Sequence, residues 1–165
     1  MLQANCTLLD KIKNTMINSK ATLAVAESVT AGLVQASFTQ VKDASMFFHG
    51  GITAYNLGQK ARHLNINSIH AESCDSVSRQ TAEEMAFGVA ELFGSCYGIA
   101  ITGYASKVPE KGVDQLYAFA ACVRDSKLIF SSRINARKTE EGLETQMHFV
   151  NEVLKKLSRH LASKK

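Results

Sequence analysis

Thr22-Leu23-Ala24-Val25-Ala26-Glu27-Ser28-Val29-Thr30-Ala31-Gly32 changes character halfway along its length. The first five residues form a short apolar run, the pattern of a strand buried on both faces. The run stops at Glu27-Ser28, and beyond Gly32 the residues Leu33, Val34, Ser37 and Phe38 recur at helical spacing. A strand that passes straight into a helix is the building unit of a sheet covered by helices. Ligands bind such sheets outside the carboxyl ends of strands, where a helix N-terminus offers free N–H groups. The stretch therefore predicts both a fold and a place for chemistry at Ser28, with Val29 to Gly32 lending backbone donors to an oxyanion or a phosphate. Serine is equally a favoured helix N-cap, worth about 1 kcal/mol, so this stretch alone leaves the plainer role open.

The flanking sequence continues the alternation. Upstream, Leu8, Leu9, Ile12, Met16 and Ile17 predict an amphipathic helix over Cys6 to Ser19. Downstream, Phe47 to Tyr55 predicts a second strand entered through Gly50-Gly51, followed by a short helical segment holding Lys60 to Leu64. Ser78, with Gln80 to Glu84 behind it, suits a helix start, and that helix runs to Phe93 and stops at Gly94. Tyr97 to Thr102 predicts a third strand closed by Gly103. A loop from Tyr104 to Gly112 carries the only proline, Pro109. Gln115 to Val123 and Leu128 to Ile134 predict an antiparallel hairpin around Arg124-Asp125-Ser126-Lys127. Thr139 to Leu161 predicts a last helix, with Leu143, Met147, Val150, Leu154, Leu157 and Leu161 on one side. The expectation is an α/β fold of three layers, α/β/α, around a mixed sheet. Without repeats or linkers, residues 1–165 read as one domain.

Composition agrees with a globular chain. It has 165 residues, 45% apolar and 21% charged, enough to bury roughly 70% of the unfolded surface. The net charge of +4 gathers partly at Lys155, Lys156, Arg159, Lys164 and Lys165, and reads as a solvated helix face and tail. A nucleic-acid partner is not expected, because there is no dense basic stripe and no Trp. Cys6, Cys74, Cys96 and Cys122 lack ligand spacing, which argues against zinc and against a disulfide framework. No apolar run is long enough to span a bilayer, and no signal peptide is evident, so a cytoplasmic location without membrane attachment is expected.

Lys60 supplies a second chemical element. A serine nucleophile needs a base, and a desolvated lysine can serve as one. Most helix lysines are solvated, and spacing alone cannot bring Lys60 to Ser28.

The link comes from a resemblance. Ala26-Glu-Ser-Val-Thr-Ala-Gly resembles the Ala-Glu-Ser-Cys-Thr-Gly-Gly signature of the CinA C-terminal domain family, which includes the nicotinamide-nucleotide amidases. Asp43-Ala-Ser-Met-Phe-Phe-His-Gly-Gly, Ile52-Thr-Ala-Tyr-Asn with Lys60, Ser76-Val-Ser-Arg-Gln-Thr-Ala-Glu-Glu-Met-Ala and Ala100-Ile-Thr-Gly are similar to four further blocks of that family, in the same order. The resemblance implies hydrolysis of the carboxamide of nicotinamide mononucleotide, or of a related carboxamide, to the acid and ammonia. It implies Ser28 as nucleophile and Lys60 as general base. It implies a substrate pocket that includes Thr30, Gly32, Ser45, Tyr55, Thr102 and Gly103. No metal or other cofactor is implied, and a homodimer or higher homo-oligomer is.

Several positions depart from the family pattern. Val29 and Ala31 replace a cysteine and a glycine, and the glycine-rich loop becomes Gly103-Tyr104-Ala105-Ser106-Lys107. The arginines expected near the last helix, suited to a phosphate, fall on Glu140 and Glu144, with Arg137 and Lys138 nearby. An alternative therefore stands beside the amidase: a catalytically inactive relative with a binding or regulatory role.

Overall fold

The fold of this chain is given by a computed structural model, which describes residues 5–139 and 141–163. Five strands form one mixed sheet in the order β2-β1-β3-β4-β5. Strands β1 (Leu23–Glu27), β2 (Phe48–Thr53) and β3 (Tyr97–Gly103) run parallel, with β1 between the other two. Strands β4 (Tyr117–Arg124) and β5 (Lys127–Asn135) are the predicted hairpin and pair antiparallel on the far side of β3.

Side-chain alternation along β1 divides the core in two. Leu23 and Val25 face a cluster formed with Ile99, Ile101, Ala118 and Ala120. Over them pack α1 (Cys6–Asn18), α2 (Leu33–Thr39) and α6 (Leu143–Ala162), through Leu9, Ile12, Met16, Val34, Phe38, Phe149, Val150 and Leu154. Ala24 and Ala26 face the opposite layer, with Ala100 and Ala121. That layer holds α3 (Leu57–Leu64), α4 (Ser68–Ser73) and α5 (Arg79–Phe93). Its sheet surface is paved with alanine, which lets α5 approach closely. A Cβ on Gly98 would lie 2.1 Å from the carbonyl oxygen of Ala86, and one on Gly88 would lie 2.2 Å from that of Leu64. Both contacts are with backbone, so neither can be relieved by a side-chain rotation.

The caps fall largely where the sequence places them. Ser78 caps α5, accepting from the Thr81 N–H at 3.0 Å, and Gly94 closes it in the left-handed conformation. Three readings are corrected. The six-residue α4 carries no periodicity and was not foreseen. Helix α6 begins at Leu143 rather than Thr139, because Gly142 adopts a positive φ and donates its N–H to the Ala105 carbonyl at 2.7 Å. Leu143 is consequently exposed on the first turn, and Glu140 lies outside the described residues.

The third correction concerns the junction after β1. Helix α2 does not start at Ser28. Residues Ser28 to Gly32 form a turn, with Ala31 at φ +51° and Gly32 at φ +99°, and the helix begins at Leu33. Its free N–H groups do not face a ligand. They are taken by the fully buried carboxylate of Glu27, the last residue of β1. Oε2 accepts from Gly32 N at 3.1 Å, Val34 N at 3.0 Å and the Thr30 hydroxyl at 2.6 Å, while Oε1 accepts from Gln35 N at 2.8 Å. A side chain of the preceding strand thus does the work of an N-cap.

Two stability predictions follow from these contacts. Gly98→Ala should destabilise the fold by about 3 kcal/mol, the upper end of ordinary overpacking, whereas the same change at solvent-open Gly94 should cost far less. Glu27→Ala strands three backbone donors at about 1–3 kcal/mol each, so its urea midpoint should fall at least as far as that of Gly98→Ala.

Candidate functional site

The carboxyl ends of β1, β2 and β3 lie at one end of the sheet. The chain leaves β1 toward β2 and returns on the other side of β1 as β3, so the two connections diverge there and open a crevice. A cavity of about 320 Å³ occupies it, lined by residues of the turn after β1, the start of α3, the segment before α5, the loop after β3 and the start of α6.

Ser28 and Lys60 both line this cavity. The Ser28 N–H donates to the Ile101 carbonyl at 3.0 Å, which extends the β1–β3 ladder by one residue and fixes the serine backbone. Its hydroxyl is not a helix cap, since α2 is capped through Glu27 and its N-cap position, Gly32, has no side chain to offer. Lys60 is set by α3. Asn56 caps that helix, accepting from Gln59 N at 3.0 Å, and Lys60 follows one turn later. Lys60 is only 2% exposed, and its ammonium donates to the Tyr55 carbonyl at 3.1 Å. Among the described residues no hydrogen bond joins Lys60 Nζ directly to Ser28 Oγ, although both residues line the cavity. Burial pushes the Lys60 pKa below the ordinary lysine value, against an opposing upward pull from the Asp75 carboxylate.

Asp75 was not singled out in the sequence, and it organises much of the cavity's other wall. It and Ser76 both hold positive φ, at +53° and +58°, a conformation costly for residues with a Cβ. Two bonds hold the strained pair: Ser76 N donates to the Ala71 carbonyl at 2.6 Å, and the buried Thr102 hydroxyl donates to the Ser76 carbonyl at 2.8 Å. The Asp75 carboxylate then accepts from the Tyr104 hydroxyl at 2.9 Å and pairs with Lys111 Nζ at 2.7 Å. The bond from Lys111 chiefly holds its pKa below the usual carboxylate range, with Tyr104 and Lys60 adding to the effect. Burial and the bond to Asp75 push the Tyr104 phenol well above its ordinary value, so it stays a neutral donor.

The remaining sequence candidates divide. Tyr55, Thr102 and Gly103 line the cavity with Ser28 and Lys60. The Tyr55 ring is 73% exposed at the rim, and its carbonyl is the part that meets Lys60. Thr102 is turned to Ser76, so it acts on the wall rather than reaching into open space. Thr30, Gly32 and Ser45 are not brought to the cavity. Thr30 is buried against Glu27, and the Gly32 N–H is spent on the same carboxylate. Ser45 sits exposed in a 3₁₀ turn, Ala44–Met46, before the amino end of β2, at the opposite end of that strand from Tyr55. Gln146 of α6 donates to the Val29 carbonyl at 2.7 Å and so pins the turn from the far side.

Comparison with known proteins agrees with this architecture. The model of the CinA C-terminal domain matches residues 5–161. Protein MG115 of Mycoplasma genitalium is 35% identical over 133 residues, covering 80% of this chain and 83% of that protein. A CinA-like protein of Leptospira borgpetersenii is 34% identical over 113 residues, 67% of this chain but 27% of its own length, so this chain corresponds to only a fraction of such longer relatives. The crystal structure of a competence-damaged protein (CinA) superfamily protein from Enterobacter cloacae superposes with a TM-score of 0.87. It covers 96% of this chain and 93% of that one at 23% identity, a likeness of fold. With the family model spanning both the sheet and every segment of the cavity, the chain belongs to the CinA C-terminal domain family.

Proposed function

We propose that this chain is a serine amidohydrolase of linear carboxamides, acting on nicotinamide mononucleotide or a related carboxamide through Ser28 and Lys60. One observation carries the reading: a lysine that is 2% exposed and a serine hydroxyl free of capping duty, from separate elements, line the same cavity. A buried lysine without a partner carboxylate in contact is costly, and lowering its pKa is what a general base requires.

The chemistry follows from the groups present. Neutral Lys60 takes the Ser28 proton, directly or through one water, as Oγ bonds to the amide carbon. The oxyanion that forms is received by the N–H of Val29, which lines the cavity and whose amide is committed to no other acceptor among the described residues. Protonated Lys60 returns the proton to the nitrogen as the C–N bond breaks and ammonia leaves. Water then attacks the acyl-serine with Lys60 again as base, giving the carboxylic acid and free Ser28.

The test is ammonia release from nicotinamide mononucleotide and from a panel of phosphate-free primary carboxamides. Ser28→Ala and Lys60→Ala should each lower kcat by a factor of about 10³ or more. A protein that binds these amides and turns over none of them would be the inactive, ligand-binding relative instead.

The pH profile supplies a further check. The base works when neutral, so kcat/KM should rise with pH through the lowered Lys60 pKa, well before an ordinary lysine would titrate. The Asp75 carboxylate raises that pKa, so Asp75→Asn should move the rising limb to lower pH. An unmoved limb would remove Lys60 from the role of base.

A further inference from the structure

The charges around the cavity are paired with unusual completeness. Among the described residues that line it, Lys60 is the one cation and Asp75 the one anion. Lys60 must lose its charge to act as a base, so it is a poor permanent anchor for an anion. Two further lysines sit on the loop after β3, and each is met by a carboxylate. Lys111 is bound by Asp75 at 2.7 Å, and Lys107 by Glu141 at 3.4 Å. No arginine lines the cavity among the described residues. Glu144, on the first turn of α6, adds negative rather than positive charge beside the lining residues Gly142 and Gln146. The Tyr104 hydroxyl, a donor that a phosphate oxygen would accept from, is likewise taken by Asp75.

Asp75 stands at the centre of this balance. It holds a backbone conformation that favours glycine, and its Oδ2 engages both the Tyr104 hydroxyl, which lines the cavity, and Lys111 on the same loop. Resting on the reading of this cavity as an amide site, we infer that it selects a primary carboxamide without a phosphate group, neutral or cationic, and that Asp75 is the residue that sets this preference. A volume of about 320 Å³ is at the small end of ligand sites and accommodates a ligand of nucleoside size or less. A phosphate brought beside Asp75 would meet a carboxylate of like charge at short range.

The matched probes are nicotinamide riboside and nicotinamide mononucleotide, which differ by one phosphate. Binding is measured by calorimetry on Ser28→Ala, so turnover does not interfere. The riboside should bind at least about tenfold tighter. Adding Asp75→Asn should narrow that gap, chiefly by tightening the mononucleotide as Lys111 and Tyr104 are released. Asp75→Gly, which suits the positive φ, should do the same and guards against a folding defect in the first variant. Equal or tighter mononucleotide binding, an unchanged gap in both Asp75 variants, or no saturable binding of either probe would each overturn the inference. Ammonia release by the unmodified protein is scored separately. Riboside preference without hydrolysis would defeat the amidase reading and leave the selectivity standing, while hydrolysis favouring the mononucleotide would do the reverse.

Discussion

A carboxylate buried at the end of the central strand is the constraint around which the site is assembled. Glu27 has no exposure to solvent, and its four hydrogen bonds all come from donors within the next eight residues. A seven-residue helix such as α2 is too short to be stable alone, and it brings no side-chain cap of its own. Glu27 satisfies both needs, joining α2 to β1 through the helix's own N–H groups and favourable dipole. Because the bonds reach Gly32, Val34 and Gln35, the intervening residues must fold back as a turn through Ala31 and Gly32. That turn leaves Ser28 and Val29 facing the crevice. The same groups that a helix N-terminus would offer to a ligand are used to make the turn rigid.

The layers of the fold were legible because they rest on short-range patterns. The apolar run of β1, the capped and glycine-closed α5 and the β4–β5 hairpin announce themselves by period, cap and turn. The site was legible only in part, for a physical reason. Ser28 and Lys60 come from separate segments, and no local pattern measures the space between them; the family resemblance placed them in order, and the fold placed them in one cavity. Glu27 was read as the residue before an interesting serine, since a strand-terminal carboxylate gives no sign of which donors it will meet. For the same reason no local pattern announces that the Thr30 hydroxyl and the Gly32 N–H donate to Glu27. Ser45 lies before β2 and Tyr55 after it, so a strand's length separates two positions that the resemblance assigns to one pocket.

Asp75 was illegible for a different reason. Its partners Tyr104 and Lys111 lie on one loop, Lys60 on a helix, and the hydroxyl that steadies its neighbour on β3. Three segments distant from it in sequence define it, and its own local setting, Ser73-Cys74-Asp75-Ser76, looks like an ordinary polar connection. The one local sign is the pair of positive φ values, which only coordinates can reveal. Strain of that kind persists where surrounding contacts over-determine it, and here those contacts are the Thr102 hydroxyl and the Ala71 carbonyl.

The two halves of the site pull on the same lysine. Burial between α3 and the cavity wall disfavours the Lys60 ammonium, and the Asp75 field favours it; burial is the larger influence, so the net displacement is downward. Burial unopposed would lower the Lys60 pKa further, so the side chain would hold the proton needed by departing ammonia less of the time. A lysine in contact with a carboxylate would keep its proton and fail as a base. Asp75 binds Lys111 and Tyr104 through Oδ2 and makes no hydrogen bond to Lys60 among the described residues, so it acts on Lys60 through space. Lys111 is therefore more than a rim charge. By binding Asp75 it tempers the field at Lys60, and it does so at the expense of its own availability to a ligand, which is how one ion pair links the basicity of the lysine to the charge of the molecule the cavity admits.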